Sequence, residues 1–288
     1  MSEALAFERM PGVSAGVYDA ADFAAVRDLI YREAGIVLPQ GKAMLVYSRL
    51  APHVRRRNCG TFANYVKLLD DDREERRKAV CALTTNHTFF FREDHHFEHF
   101  GGQARARLIE RAEAGQPVRI WSAGCSSGEE TWSIVLTLLG ADRAAARRLA
   151  TRDLVVLASD LADHALATAR EGAYPAAAVE AVPEALRRAW ISERDGQARI
   201  DPEAMRLVRF RMLNLLGPWP MQRPFDVIFC RNVMIYFDQP TKEKLVARFA
   251  EQLRPGGLLY IGHSERVTGP ASRVLRPIGN TIYRKEAA

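Results

Sequence analysis

The stretch "PVRIWSAGCSSGEE", residues 117–130, decides how the chain is folded. It opens as a short apolar run, turns through Gly124 and Gly128, and closes on two acids, Glu129 and Glu130, that begin a helix. Three more runs of the same kind follow: "DLVVLASD" (153–160), "PFDVIFCR" (224–231) and "GGLLYIGH" (256–263). Each ends in small or polar residues, and helical patterns lie between them. In "TKEKLVARFAEQL" (241–253), Leu245, Phe249 and Leu253 recur at i, i+4 and i+8. Buried parallel strands alternating with helices predict an α/β fold with a doubly wound, mostly parallel, Rossmann-like sheet. One segment departs from this rhythm. "AWISERDGQARIDPEAMRLVRFRML" (189–213) alternates like a small antiparallel meander and is too long for a plain crossover. A β sub-domain inserted at residues 189–212 is therefore expected.

The residues ahead of the sheet read differently. "DFAAVRDLIYREAG" (22–35) offers Asp22 as an N-cap, places Phe23, Val26 and Ile30 on one face, and stops at Gly35. "GKAMLVYSRLAPHVRRR" (41–57), "TFANYVKLLDDD" (61–72) and "REERRKAVCALTT" (73–85) follow, with Thr61 as a cap and Phe62, Tyr65 and Leu69 as a buried stripe. This organisation gives a loose tail at 1–18, a small all-helical N-terminal domain at 19–87 and an α/β domain at 88–288. At the seam stands "TTNHTFFFRED" (84–94), three phenylalanines between an amide and an arginine. They read as a knot packed between bundle and sheet.

A chain of 288 residues can bury a core without staples. Its four cysteines are scattered with no CxxC pair, which predicts reduced thiols and no metal cluster. The net charge of +6 comes from 41 basic against 35 acidic residues, only six of them Lys, and only "VRRRN" (54–58) is a true basic cluster. That balance predicts no nucleic-acid binding and favours an acidic partner. No apolar run reaches the ~18 residues of a membrane span, and the first ten residues carry no signal-peptide pattern. A cytoplasmic protein, not embedded in a membrane, is expected. His95 and His99 stand at i, i+4, but no acidic third ligand has fitting spacing, so they read as packing at a helix start.

Ligands of an open α/β sheet bind beyond the carboxyl ends of its strands. At the first such end, "SAGCSSGEE" is not the glycine fingerprint of a dinucleotide site. Its acidic helix start suits a cation, or else simply satisfies the helix N-terminus. At the second end, Asp160 can accept both hydroxyls of a ribose, or cap the following helix. Together these favour a positively charged nucleoside that lacks phosphates, which describes S-adenosylmethionine. Past the fourth-strand segment, Arg231 and Asn232 are costly to bury without partners and could also cap the next turn.

Four stretches carry a family resemblance: "LTTNHTFFFREDHHF", "WSAGCSSGEETWSI", "ASDLADHALATAREGAY" and "FCRNVMIYFD", with "LRPGGLLYIGHSE" after them. In order and spacing the chain resembles, from about residue 20 to its end, the CheR group of bacterial chemotaxis methyltransferases. The resemblance implies an S-adenosylmethionine-dependent protein-glutamate O-methyltransferase that esterifies chemoreceptor glutamates and releases S-adenosylhomocysteine, with no metal. It implies that Asn86, Thr88 and Arg92 lie at the cofactor's methionine end and that Glu130 is the acidic contact of the first loop. Asp160 would then be the ribose ligand, with Asn214 and Leu215 on the adenine side and Arg231 and Asn232 reaching across. Arg92 and Tyr236 are the implied catalytic residues, Tyr236 beside the transferable methyl. Thr131 stands where the family commonly has Pro.

The implied partners are the cytoplasmic methylation helices of chemoreceptors. Some members also grip a C-terminal receptor pentapeptide on the β sub-domain. They share a longer, glycine-bearing loop there, whereas this chain has only "ERDGQ" (193–197), which argues against the tether. Two other functions fit the fold: a methyltransferase acting on RNA or a small molecule, and a cofactor-sensing adaptor without turnover.

Overall fold

In the computed structural model, residues 13, 14 and 16–286 are described. They form two units, one running to Thr85 and including Tyr236–Thr241, the other comprising Asn86–Ile235 and the residues from Lys242 onward.

The first unit is built from helices, three of them begun by side-chain caps. Helix α1 (Ala20–Ala34) begins at Asp19, whose carboxylate accepts from the amides of Ala21 and Asp22 at 2.9 and 3.0 Å. The Asp22 carboxylate returns the bond to the Asp19 amide at 3.1 Å. The N-cap is thus Asp19, and Asp22 is the reciprocal member of a capping box rather than the cap itself. Helices α2 (Ala43–Arg56), α3 (Phe62–Asp71, capped by Thr61) and α4 (Arg73–Leu83, capped by Asp72) follow, and Phe62, Tyr65 and Leu69 are buried as expected. Glu75 is buried with them because Tyr65 Oη (3.0 Å), Arg56 Nη2 (3.1 Å) and the His53 ring (3.1 Å) all reach it. Residues 1–12 and 15 of the expected tail lie outside the described residues, but Tyr18 is buried, its ring 4.4 Å from that of Phe62. The core therefore begins inside the expected tail.

The second unit opens with helices α5 (His95–His99) and α6 (Arg105–Glu113). Strand β1 (Val118–Ala123), helices α7 (Glu129–Leu139) and α8 (Arg143–Ala150), strand β2 (Leu154–Asp160) and helix α9 (Asp163–Glu171) come next. Strand β3 (Ala173–Pro175), helix α10 (Glu184–Trp190), strands β4 (Ile191–Arg194) and β5 (Gln197–Ile200), helix α11 (Pro202–Met205) and strand β6 (Val208–Met212) follow. Strand β7 (Phe225–Cys230), helix α12 (Gln239–Gln252) and strands β8 (Leu253–Ile261), β9 (Leu275–Gly279) and β10 (Ile282–Lys285) complete the chain.

Seven strands form one sheet in the order β6-β2-β1-β7-β8-β10-β9. Pairing is parallel from β6 to β8 and antiparallel at β10, so the mostly parallel, doubly wound sheet is as expected. Strand β7 is buried at every position, the signature of a strand covered on both faces. The chain winds outward from β1 in both directions. A topological switch point therefore falls between β1 and β7, where Ile120 registers with Val227.

The inserted β sub-domain differs from the expectation. The small antiparallel sheet takes β4 and β5 from the expected span, but its third strand is β3, from ahead of it. Strand β6 leaves the meander to pair in parallel with β2. As an edge strand with one face to water, β6 alternates buried Val208 with exposed Arg209, the same pattern a meander strand shows.

The phenylalanine knot also differs. Phe90 is fully buried in the core of the second unit, edge-on to Tyr174 at 5.1 Å, and Phe91 packs on Phe97 at 5.0 Å. Phe89 remains 47% exposed. The triplet thus serves the core of its own unit, with one ring left at the surface. Replacing Phe90 with Ala should cost about 3–5 kcal/mol of stability by cavity formation. Phe89→Ala should stay within about 0.5 kcal/mol. Guanidinium unfolding of the two variants checks this, and equal losses would contradict the packing described.

Candidate active site

The loop after β1 reverses its path through three left-handed residues, Gly124 (φ +81), Ser126 (φ +50) and Gly128 (φ +99). Gly128 is needed for space as well as conformation, because a Cβ there would sit 2.7 Å from that of Ala169. The Ser126 amide donates to Asp160 Oδ2 at 2.8 Å and its hydroxyl to the Asn86 carbonyl at 2.9 Å. One serine thus ties the β1 loop to the β2 end and to the start of the unit. Asp160 Oδ1 accepts from the Ala162 amide at 2.9 Å. Burial raises the Asp160 pKa against these bonds. The Leu161 amide is a third backbone partner of this carboxylate.

Two further acids flank the loop. Glu129 accepts from Ser127 Oγ at 2.7 Å, and Glu130 from Ser122 Oγ at 2.7 Å. Burial raises the pKa of both. Asn86 Nδ2 lies 3.2 Å from Nε2 of His164 in the first turn of α9. Beyond the end of β6, Asn214 Oδ1 accepts from the Leu216 amide at 2.9 Å. The Leu215 carbonyl accepts from Trp219 Nε1 (3.0 Å) and Arg248 Nη1 (2.7 Å), and the Arg248 guanidinium lies 3.9 Å from the Trp219 ring.

Arg92 sits in a turn between two left-handed residues, Phe91 (φ +54) and Glu93 (φ +60). Its Nη1 donates to the His87 carbonyl at 3.1 Å and its guanidinium lies 5.7 Å from the Phe89 ring. Arg231, 6% exposed, donates to the Arg92 carbonyl and pairs with Glu93 Oε2 at 3.3 Å and Glu130 Oε2 at 3.4 Å. Glu93 Oε1 also accepts from Asn232 Nδ2 at 3.2 Å and lies 2.9 Å from His263 Nδ1. Burial alone would raise the Glu93 pKa; the Arg231 charge and these bonds outweigh it and hold Glu93 at about 2. His96 Nδ1 faces Glu93 Oε2 at 3.5 Å, and burial, with Arg231 nearby, lowers that histidine to about 3. Both groups therefore hold fixed charge states at neutral pH.

The residues singled out in sequence thus fall into three groups within this unit. Asn86 and Asp160 meet through Ser126, while Arg92, Glu130, Arg231 and Asn232 meet around Glu93. Asn214 and Leu215 follow β6, and Thr88 lies partly buried in the segment leading to Arg92. Tyr236, at the end of a short turn (Met234–Tyr236), belongs to the first unit, where its carbonyl accepts from the Val37 amide at 2.8 Å. The histidines of α5 serve packing: His99 Nδ1 lies 2.8 Å from Tyr260 Oη and His96 Nε2 lies 2.9 Å from Thr281 Oγ1. Among the described residues no group of three or more His, Cys, Asp or Glu could hold a metal ion.

Sequence reasoning passed over Ser126, Glu93, His164 and Glu265. The last is buried and accepts from the amides of Gly262 (2.6 Å), Met234 (2.8 Å) and Asn232 (3.3 Å). Their only signal was position: Glu93 directly follows Arg92, and Glu265 stands two residues past "GGLLYIGH".

Residues 86–283 match the CheR methyltransferase SAM-binding domain, and residues 21–84 the CheR methyltransferase all-alpha domain. The chain belongs to the CheR methyltransferase family. It is 47% identical to a probable chemotaxis protein methyltransferase of Rhizobium etli, over 89% of this chain and 96% of that one. It is 42% identical to chemotaxis protein methyltransferase 2 of Pseudomonas aeruginosa, over 92% of this chain and 93% of that one. With the chemotaxis protein methyltransferase of Escherichia coli it shares 39% identity over 91% and 90% of the two chains.

The loop fits the S-adenosylmethionine that this family uses. Three carboxylates with raised pKa values surround a backbone turn at the switch point, a donor set that favours a cation and disfavours phosphate. Asp160 is proposed to accept the ribose hydroxyls, and loss of such charge-assisted bonds costs about 1.5–3 kcal/mol each. Asp160→Ala should therefore weaken S-adenosylhomocysteine binding at least about tenfold while the fold survives. Calorimetry decides it; unchanged affinity would remove Asp160 from the site.

Proposed function

We propose that this CheR-family methyltransferase esterifies glutamate side chains on the cytoplasmic methylation helices of chemoreceptors. The observation that carries this reading is the Arg92 turn, whose guanidinium is partly exposed and whose backbone carbonyl is tied through Arg231 to Glu93 and Glu130. A cation at the rim suits an incoming carboxylate, and the acids behind it suit a positively charged methyl donor. Bound S-adenosylmethionine supplies a methyl group on a sulfonium, already activated for displacement. The receptor glutamate, with a pKa near ~4.3, is ionised at neutral pH and needs no general base. What the chain must supply is alignment, a contribution that reaches about 7–11 kcal/mol in favourable cases.

In this reading Asp160 holds the ribose, Asn214 and Leu215 border the adenine, and Asn86, Thr88 and Glu130 face the methionine end. Arg231 and Asn232, beside reaching across to the cofactor, hold the turn, since the Arg231 Nη atoms pair with Glu93 and Glu130 and Asn232 Nδ2 donates to Glu93. Arg92 and Tyr236 are the catalytic residues, Arg92 by binding the carboxylate and Tyr236 by lining the methyl.

The decisive assay incubates the protein with labelled cofactor and receptor-containing membranes and reads base-labile methyl ester. Arg92→Ala should lower turnover about a hundredfold, as the loss of one preorganised charge donor does elsewhere. Tyr236→Phe, which loses only a hydroxyl, should lower turnover about tenfold with a smaller change in cofactor affinity. Near-native turnover in both would reject the assignment.

The partner surface is proposed to be the basic end of α2. Arg56 and Arg57 there pair with Glu75 (3.1 Å) and Asp72 (2.8 Å), which leaves the exposed Arg55 as the principal attraction for acidic receptor helices. The β4–β5 hairpin turns tightly through Asp195 (φ +52) and Gly196 (φ +74), and Arg194 pairs with Asp195 at 3.3 Å. Such a turn offers little room for a tether. Receptor methylation should fall with added salt and with Arg55→Glu, because exposed charges are screened beyond ~8–10 Å at physiological ionic strength. A C-terminal receptor pentapeptide should show no micromolar binding by calorimetry, and such binding would overturn the tether-free mode.

A further inference from the structure

We infer that Glu93 is the positioning residue for Arg92, holding the guanidinium in its working orientation through Arg231, Asn232 and His263. This rests on the reading that Arg92 acts on the receptor carboxylate, and it assigns the residue that makes Arg92 usable.

Arg92 lies between Phe91 and Glu93, both in the left-handed region, which costs a side-chain-bearing residue energy and persists only where the surroundings enforce it. Three restraints do so. The Phe91 amide donates to Ser133 Oγ at 2.9 Å. The Arg92 carbonyl accepts from Arg231. The Glu93 carboxylate takes Arg231 on Oε2 at 3.3 Å, and on Oε1 it takes Asn232 Nδ2 at 3.2 Å and the His263 amide at 3.3 Å. Arg231 therefore grips the carbonyl of one turn residue and the side chain of the next.

Glu93 supplies what a neutral residue could not. Arg231 is buried against two carboxylates, and its second partner, Glu130, is already bonded to Ser122. With Glu93 neutral, the guanidinium would lean toward Glu130 and loosen its hold on the Arg92 carbonyl. Asn232 is itself in a left-handed conformation (φ +58), set close to Gly262, where a Cβ would fall 2.7 Å from the Asn232 amide nitrogen. The Asn232 side chain is thus presented to Glu93 from a backbone that cannot easily shift. The turn carrying Arg92 is pinned from β7 and from the end of β8. The action of Glu93 on Arg92 passes through Arg231 and the backbone of its neighbour.

Two measurements test this. Hydrogen exchange of the segment 88–93 requires no activity: Glu93→Gln should speed it about tenfold or more, with the amides of β1 and β7 unchanged. In the kinetic arm, Glu93→Gln should lower turnover about tenfold or more while S-adenosylhomocysteine affinity stays within about threefold. In an Arg92→Ala background the same change should alter turnover less than about twofold, because a positioning residue has nothing left to position. Unchanged exchange, or losses that multiply independently of Arg92, would overturn the inference. Should Glu93→Gln fail to fold, His263→Ala, which removes the 2.9 Å ring contact with Glu93 and keeps the backbone amide, should raise exchange of the same segment; no rise there would also overturn the inference. If Arg92→Ala keeps native turnover, the receptor-carboxylate reading fails, and the exchange arm still decides the role of Glu93.

Discussion

A guanidinium buried between two carboxylates is the interaction on which the active-site unit depends. Arg231, at the end of β7, neutralises Glu93 and Glu130 together and bonds a backbone carbonyl besides. Buried ion pairs are weak sources of net stability, because desolvation offsets most of the attraction. Removing one partner, however, strands the others and costs about 3–5 kcal/mol. The cluster therefore works as a register lock. It accepts one arrangement of the Arg92 turn, the β7 end and the first turn of α7, and penalises every neighbouring arrangement.

The same economy governs the loop after β1. Ser126 spends its amide on Asp160 and its hydroxyl on Asn86, so three sequence-distant segments share one short residue. Raised carboxylate pKa values at Glu129, Glu130 and Asp160 mark sites where burial opposes ionisation. A cation beside such a group relieves that opposition, as Arg231 does for Glu130.

Much of this was legible in the sequence, for identifiable reasons. Strands buried on both faces read as unbroken apolar runs, so β1, β2, β7 and β8 stood out, and Asp160 and Glu130 were visible because strand ends are where such sheets bind ligands. Strand β6 was misplaced because an edge strand alternates like a hairpin strand, and periodicity alone cannot assign a partner. Asp22 was taken for a cap that Asp19 provides, since either member of a capping box has the right chemistry. Glu93 was invisible for a different reason. Its importance lies in who reaches it, and Arg231, Asn232 and His263 come from segments far along the chain.

The switch point also sets the order in which the protein can come into being. Strand β1 pairs with β2 close behind it, but its other neighbour is β7, with Ile120 against Val227. On a ribosome, β1, β2 and β6 can associate while β7 is still unmade, because chains emerge N-terminus first and local pairings close fastest. The loop after β1 and the Arg231 cluster stand at the ends of the two strands, β1 and β7, where the late part of the sheet joins the early part. Until that joining, Glu93 and Glu130 lack the Arg231 guanidinium between them. Binding competence is therefore a property of the finished chain, acquired in its last steps of assembly.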